Sequence, residues 1–335
     1  LIIILCSITN PQLSNPTNNM DEPFFLHQHL NNFDEFCVSA RNWDLDYRQL
    51  DAGDFSSELF MFGNDEIQFT HARLGRRMLQ NGSSPQGLIS FGILSNPDIN
   101  IYWRNINITG DMLFVFPDNG ELHSVTQADF DVFVISLPED ALNQACIYLE
   151  LPDIKALLNK HEVFCCNSKK LAELRSWLLS VKHETDDFTT AVRNRRYLKH
   201  IEQEVTYRLL NILAEPHQAV SMRPFRKRDL ALMKAERFIV ESDVSVITIP
   251  ELCMVANVSE RTLEYAFRER YGLTPKAYTL IHRMNNIHKY LRRADPQNTL
   301  ISEIARQYGF WHMGKFSADY KKIFGELPSE TLKCT

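Results

Sequence analysis

Gly309-Phe-Trp-His-Met-Gly-Lys-Phe-Ser-Ala-Asp-Tyr320, closed by Phe324-Gly325, decides how the last third of this chain is built. It follows a short apolar run, Ile301 to Tyr308, whose spacing is helical. Together they read as the first helix, turn and second helix of a helix-turn-helix. Some fifty residues upstream a similar pattern occurs: Leu252-Cys-Met-Val-Ala-Asn-Val-Ser259, then Arg261 to Tyr271 and Gly272. Gly272, Gly309 and Gly325 fall after helices, where a left-handed cap favours glycine.

The segment between the two units reads as one long helix. Thr274-Pro275 opens it, and Tyr278, Ile281, Met284 with Asn285, Ile287 with His288, and Leu291 mark its buried stripe before Asp295-Pro296. From Pro275 to Arg293 it would span roughly 28 Å at 1.5 Å per residue. One turn of B-DNA advances roughly 34 Å. Two helix pairs on such a rod can reach neighbouring major grooves, although a generic helical bundle would accept the same helix. Thr248-Ile-Pro-Glu251 has the form of a capping box, and Ser259 can cap the first recognition helix. Arg226 to Glu241 reads as a further helix with Leu230, Met233, Phe238 and Ile239 apolar.

On the first recognition helix, Leu263, Ala266 and Phe267 form the inward face, leaving Arg261, Thr262, Glu264, Tyr265 and Arg268 outward. Arginine near the start of such a helix can read guanine, and Thr and Tyr can touch a thymine methyl or a phosphate. Arg268, further along, suits a backbone phosphate. On the second, Phe316, Tyr320 and Phe324 point inward, and Trp311, His312, Met313, Lys315, Ala318 and Lys322 are the outward candidates. Core packing is an equal reading for Trp311 and Met313, as is a solvated face for Lys321 and Lys322.

Charge sorts along the chain. Residues 225–335 hold 18 Lys and Arg against 13 Asp and Glu, net +5, while residues 1–224 hold 18 against 29, net −11. The basic end coincides with the helix-turn-helix pattern, and the acidic remainder should avoid phosphate.

These residues resemble the AraC/XylS family of bacterial transcription regulators. The resemblance covers roughly residues 228–333. It rests on Leu252, Ala256, Val258-Ser259, Leu263, Phe267 and Gly272-Leu-Thr-Pro275 in the first unit. In the second it rests on Ile304-Ala305, Tyr308-Gly-Phe310, Phe316-Ser317, Tyr320-Lys321, Phe324-Gly325 and Pro328. It implies seven helices arranged as two helix-turn-helix subdomains, with Arg261, Glu264, Tyr265, Met313, Gly314 and Ala318 facing DNA. Gly314 and Ala318 lack long polar side chains, so the second unit should act more through phosphate and shape than through base hydrogen bonds. The strings Gly309 to Phe316, Asp319-Tyr320, Pro328-Ser329 and Val258 to Leu263 are similar to the branch of ethanolamine-operon regulators.

The remainder reads differently. Residues 24–140 alternate short apolar runs with turn residues: 58–62, 67–73, 87–94, 100–105, 111–116 and 130–137. This spacing favours an antiparallel sandwich or jelly-roll barrel, a fold that often encloses a ligand cavity. From Asn167 helical spacing takes over, in Leu171, Leu174, Trp177, Leu178 and Val181, then Leu198, Ile201, Val205, Leu209 and Ile212. This pair would either cover an open end of the barrel or pair with a second subunit. The expected class is α+β. Residues 1–20 read as a disordered stretch or extension and 21–164 as a β-rich sensor domain. Residues 165–214 read as a helical dimerisation or cover pair, 215–224 as a linker, and 225–335 as the all-α DNA-binding domain with two helix-turn-helix units.

The leading expectation is a sequence-specific, small-molecule-responsive regulator of transcription that binds double-stranded DNA. By the resemblance it is an activator, which would contact RNA polymerase and could form a homodimer. Its rivals are a cupin-like barrel enzyme with an appended DNA-binding domain and a regulator that senses nothing. Cupin metal sites need clustered His and carboxylate, whereas His71 and His123 stand alone in sequence. No cofactor, metal site or catalytic group is expected. Seven cysteines without metal spacing suit reduced thiols in a cytoplasmic protein. The apolar Leu1 to Leu5 is too short to cross a membrane.

Overall fold

The computed structural model describes residues 23–333 except 41, 65, 104–105, 117–121, 160, 188–193, 216–217, 220–225 and 243–245. The expected extension over residues 1–20 lies outside the described residues, as does most of the expected linker over 215–224.

Two antiparallel sheets face each other, with strands numbered along the chain. The larger runs β1 (Phe24–Leu30), β3 (Ser57–Gly63), β4 (Gln68–Leu74), β11 (Phe130–Pro138), β6 (Leu88–Leu94), β9 (Met112–Val115), β12 (Val163–Cys165) and β13 (Gln218–Ala219). The smaller runs β2 (Asp44–Gln49), β5 (Met78–Ser83), β10 (Leu122–Val125), β7 (Ile101–Trp103) and β8 (Ile106–Ile108). Gln218 and Ala219, expected within the linker, instead extend the larger sheet by pairing with Cys165 and Phe164.

Strand periodicity explains why the larger sheet reads as continuous apolar runs. Successive side chains point to opposite faces. Leu59, Met61, Phe130, Val132 and Val134 face the space between the sheets. Phe60, Phe62, Phe133, Ile135 and Leu137 face a second core on the other side. Burial on both faces removes the alternation that a half-wetted strand would show.

That second core is covered by helices α2 (Glu139–Tyr148), α3 (Ile154–Leu158), α4 (Ser168–Asp187) and α5 (Arg195–Leu213). Leu174, Leu178, Val205 and Leu209 pack in one cluster with Phe60, Phe69 and Phe133. The α4–α5 pair therefore covers the outer face of the larger sheet rather than an open end of the barrel. Helix α1 (Phe33–Ser39), capped by Asn32 Oδ1 accepting from Asp34 N at 2.7 Å, closes one side of the space between the sheets.

The rest of the chain is helical: α6 (Lys227–Glu241), α7 (Ile249–Ala256), α8 (Glu260–Tyr271), α9 (Pro275–Leu291), α10 (Ile301–Gln307), α11 (Met313–Phe324) and α12 (Pro328–Lys333). On α6 the buried positions are Ala231, Leu232, Ala235 and Ile239, while Leu230 and Met233 are each 47% exposed. The inward stripe is thus shifted from the expected one, because small alanines allow close approach where the larger apolar residues were expected to pack. Helix α9 ends at Leu291 with Arg292 as its cap.

The helical part packs on the barrel. Arg77 donates to the Tyr271 carbonyl at 3.1 Å, and the Arg270 guanidinium lies 4.0 Å from the centre of the Tyr102 ring. Arg48 donates to His282. Burial, with help from Arg48, pushes the His282 imidazole down to about 3, so it stays neutral and accepts. His288 shows the opposite outcome: burial opposes its charge, but Asp34 and Glu326 outweigh that and raise it.

Candidate nucleic-acid interface

In the first unit, α7 opens on a reciprocal cap. Thr248 Oγ1 accepts from Glu251 N at 3.4 Å, and the Glu251 carboxylate accepts from Thr248 N at 2.8 Å. Hydrogen bonds from the Thr248 hydroxyl and amide hold the Glu251 carboxyl below its ordinary range. The turn passes through Asn257 at φ 54°, and Ser259 Oγ then accepts from Thr262 N at 3.3 Å to start α8. Leu263, Ala266 and Phe267 are buried, as the spacing predicts, in a core shared with Leu252, Ala256 and Tyr278.

This leaves the candidate residues of α8 on the other side. Arg261, Tyr265 and Arg268 are exposed, and Thr262 and Glu264 are half-buried. The Arg261 guanidinium lies 5.6 Å from the Tyr265 ring centre, which steadies both at the helix surface. The Thr262 hydroxyl is 2.9 Å from Ser259 Oγ, so it is engaged in the cap.

In the second unit, Gly309 at φ 78° makes the turn, with its amide on the Arg306 carbonyl and the Phe310 amide on the Ala305 carbonyl, each at 2.9 Å. Helix α11 starts at Met313, so Trp311 and His312 precede it instead of forming its first turn. Trp311 is 69% exposed, and His312, Lys315, Ala318, Lys321 and Lys322 are exposed as well. Met313 is half-buried against the core. The two open readings thus separate: Trp311 lies at the surface and Met313 contributes to packing. Phe316, Tyr320 and Phe324 are buried inward as expected.

Helix α9 joins the units. Its 17 residues correspond to roughly 26 Å at 1.5 Å each, slightly shorter than the sequence suggests. Sequence reading missed Arg283, which donates from Nη1 to the Tyr308 carbonyl at 3.2 Å and lies 4.9 Å from the Phe310 ring centre. It braces the second turn from the connecting helix. Nothing in its local pattern marks that role, since its partners are 25 or more residues away. Among the described residues no group of three or more His, Cys, Asp and Glu is placed to hold a metal ion, and no helix is long and apolar enough to cross a membrane.

Residues 252–333 match the model of a helix-turn-helix domain family. The chain is similar to XylDLEGF operon transcriptional activator 2 of Pseudomonas putida, 30% identical over 134 residues, which cover 40% of this chain and 83% of that one. It is also similar to the XylDLEGF operon transcriptional activator of Pseudomonas putida, 27% identical over 224 residues and 67% of each chain. Among solved structures it is similar to the AraC-like transcriptional activator CuxR, at 11% identity and a TM-score of 0.43 over 93% of this chain and 100% of that one.

Proposed function

The chain belongs to the AraC/XylS family of DNA-binding transcription regulators, and from that premise we propose that it is a cytoplasmic activator whose barrel senses a small molecule. The observation that carries the DNA-binding half is the pair of helix-turn-helix units joined by α9, with Arg261, Tyr265 and Arg268 exposed on one and His312, Lys315 and Lys322 exposed on the other. Arg261 reads a base, with Thr262, Glu264 and Tyr265 beside it, and Arg268 meets phosphate. Trp311, Lys315, Ala318 and Lys322 meet the backbone or the groove wall with His312, and the part of Met313 that its packing leaves open lies beside them. Footprinting of the purified protein on its own upstream region tests this. Protection of two sites about one helical repeat apart is expected, and the absence of any preferred duplex at moderate salt would end the reading.

Sensing is supported by a cavity between the two sheets, lined by Phe36, Trp43, Tyr47, Trp103, Phe114 and Phe116 among others. Such a reading needs no catalytic chemistry. An activator recruits RNA polymerase from its operator, and a second copy would meet this one through α4 and α5, where Leu179 and Tyr207 are exposed. The strings Val258 to Leu263 and Gly309 to Phe316 support a place beside regulators of ethanolamine operons. A DNA-binding response unchanged by any growth condition that induces the neighbouring genes would leave a regulator without a sensor.

A further inference from the structure

Helix α1 and strand β2 face two ways. Phe36 on α1 and Ala40, the residue that caps its end, line the cavity. From the same segment Asp34 reaches His288 at 3.4 Å and Glu35 reaches Arg292 at 2.8 Å. On β2 the strand period does the same sorting: Leu45 and Tyr47 line the cavity, while Asp46 accepts from Lys289 at 2.9 Å and Arg48 donates to His282. At the end of β2, the Asn285 side-chain amide accepts from Gln49 N and donates to the Gln49 carbonyl, both at 2.9 Å. Helix α9 thereby closes the free edge of β2 much as a neighbouring strand would. Gln49 is 0% exposed and Asn285 4%.

The cavity itself is small, about 50 Å³. A void that takes up benzene is about 150 Å³. A ring-sized occupant must therefore move a wall. The strands β4 and β11 are hydrogen-bonded on both sides, whereas β2 is an edge strand whose one strand partner is β5. Helix α1 has seven residues. The wall that yields is α1 with β2, and that wall is what holds α9.

The lining also limits the chemistry. Among the described residues, no charged side chain lines the cavity, and the lining residues that carry a polar side-chain group are Trp43, Tyr47, Thr70, Gln80 and Trp103. Trp103 Nε1 is buried with no hydrogen-bond partner among the described residues. A carboxylate placed there would lose its water with no described cation to replace it. An uncharged ring carrying one acceptor oxygen suits both the walls and the indole donor.

Resting on the sensing reading above, we propose that the cavity takes an uncharged, ring-sized apolar molecule, and that its entry displaces α1 and β2 and loosens their hold on α9. Such a ligand binds more tightly wherever that hold is already weakened, by the same factor by which it weakens it. The test uses the full chain with acetophenone as probe, and benzoate and phenyltrimethylammonium as charged counterparts. Binding is read by calorimetry, and the hold on α9 by hydrogen exchange at the Gln49 amide. We expect saturating acetophenone to speed that exchange tenfold or more. Asn285→Ala should bind acetophenone several-fold more tightly than the parent, with a smaller gain for Glu35→Gln, a surface change that keeps the test alive if the first variant does not fold. Acetophenone binding with unaltered Gln49 exchange and equal affinity in the variants would overturn the coupling and leave sensing intact. Tighter binding of benzoate or of the ammonium would overturn the ligand class. Failure of all three probes to bind would overturn the ring-sized ligand and leave sensing to the growth-condition test above.

Discussion

In the first helix-turn-helix unit Thr248 and Ser259 satisfy the opening amides of α7 and α8. In the second, Leu300 and His312 occupy the equivalent places and make no side-chain cap. The cores differ in the same sense. Leu252, Leu263, Phe267 and Tyr271 form a cluster to which the barrel adds Leu50, Leu79 and Val125. Phe316, Tyr320, Phe324 and Ile304 instead belong to one cluster with Phe33, Phe36, Phe55 and the barrel interior. The first unit is closed largely by its own residues, and the second is completed by the barrel. A displacement in the barrel would therefore have a direct physical route to the second unit and a thinner one to the first.

The largest effect that can break this comparison comes from the cores. Phe267 and Phe316 are 0% and 1% exposed. Phe267→Ala and Phe316→Ala should each cost about 3–5 kcal/mol, because each leaves a ring-sized void. The distribution of damage should differ. Phe316→Ala is expected to speed hydrogen exchange in α1 and β2 as well as in α11, and Phe267→Ala to act mainly on α6, α7 and α8. Equal spread from both variants would mean that the two units are coupled to the barrel alike.

The same contrast accounts for what could be read from the sequence. Unit one was legible because its determinants are local: the Thr248–Glu251 box, the Ser259 cap and the Gly272 terminus lie within a turn of the helices they control. The larger sheet was legible as apolar runs, and β3, β4, β6 and β11 fall within a residue or two of them. Helix α1 and strand β2 were not. Asn32 to Gln49 is rich in Asp, Asn and Arg, and Asp34, Glu35, Asp46, Arg48 and Gln49 are spent on α9 and its cap, some 240 positions away. Asn285 and His288 could be placed on the buried stripe of α9, but a lone sequence gives no sign of the partners that make their burial tolerable.

A second contrast concerns how each unit meets DNA. If Arg261 reads a base, Arg261→Ala should cost roughly 1–3 kcal/mol at the operator and little on random duplex. Lys322→Ala should weaken operator and random duplex alike, and lower the salt dependence by about one ion. Paired titrations at several salt concentrations separate the two. An equal loss on both duplexes for Arg261→Ala would assign it to phosphate and erase the proposed division between a reading unit and an anchoring one.

Caps give a smaller and opposite-signed pair. Ser259→Ala should cost about 1 kcal/mol by freeing an opening amide of α8. His312 already has the extended backbone of a cap residue, φ −104° and ψ 95°. His312→Ser should therefore stabilise the second unit by a similar amount, while removing an exposed imidazole from the proposed interface. Thermal unfolding of the two variants checks the signs. A destabilised His312→Ser protein would show that the start of α11 is satisfied in a way its cap residue does not reveal.

The smallest expected change in stability falls on Gly314, in the first turn of α11. A Cβ added there meets nothing within 4 Å, and no left-handed backbone requires glycine. Alanine should therefore stabilise the helix, by roughly 0.4–1 kcal/mol, through helix propensity and a less disordered unfolded chain. Within the free protein glycine brings no gain at this position. On the proposed DNA-binding reading, a phosphate oxygen would approach the helix start closely here, where uncapped amides are suited to it. Gly314→Ala is thus expected to raise thermal stability and lower operator affinity several-fold. Unchanged affinity with raised stability would move the contact surface of the second unit away from the start of α11, towards Lys315, Ala318 and Lys322 alone.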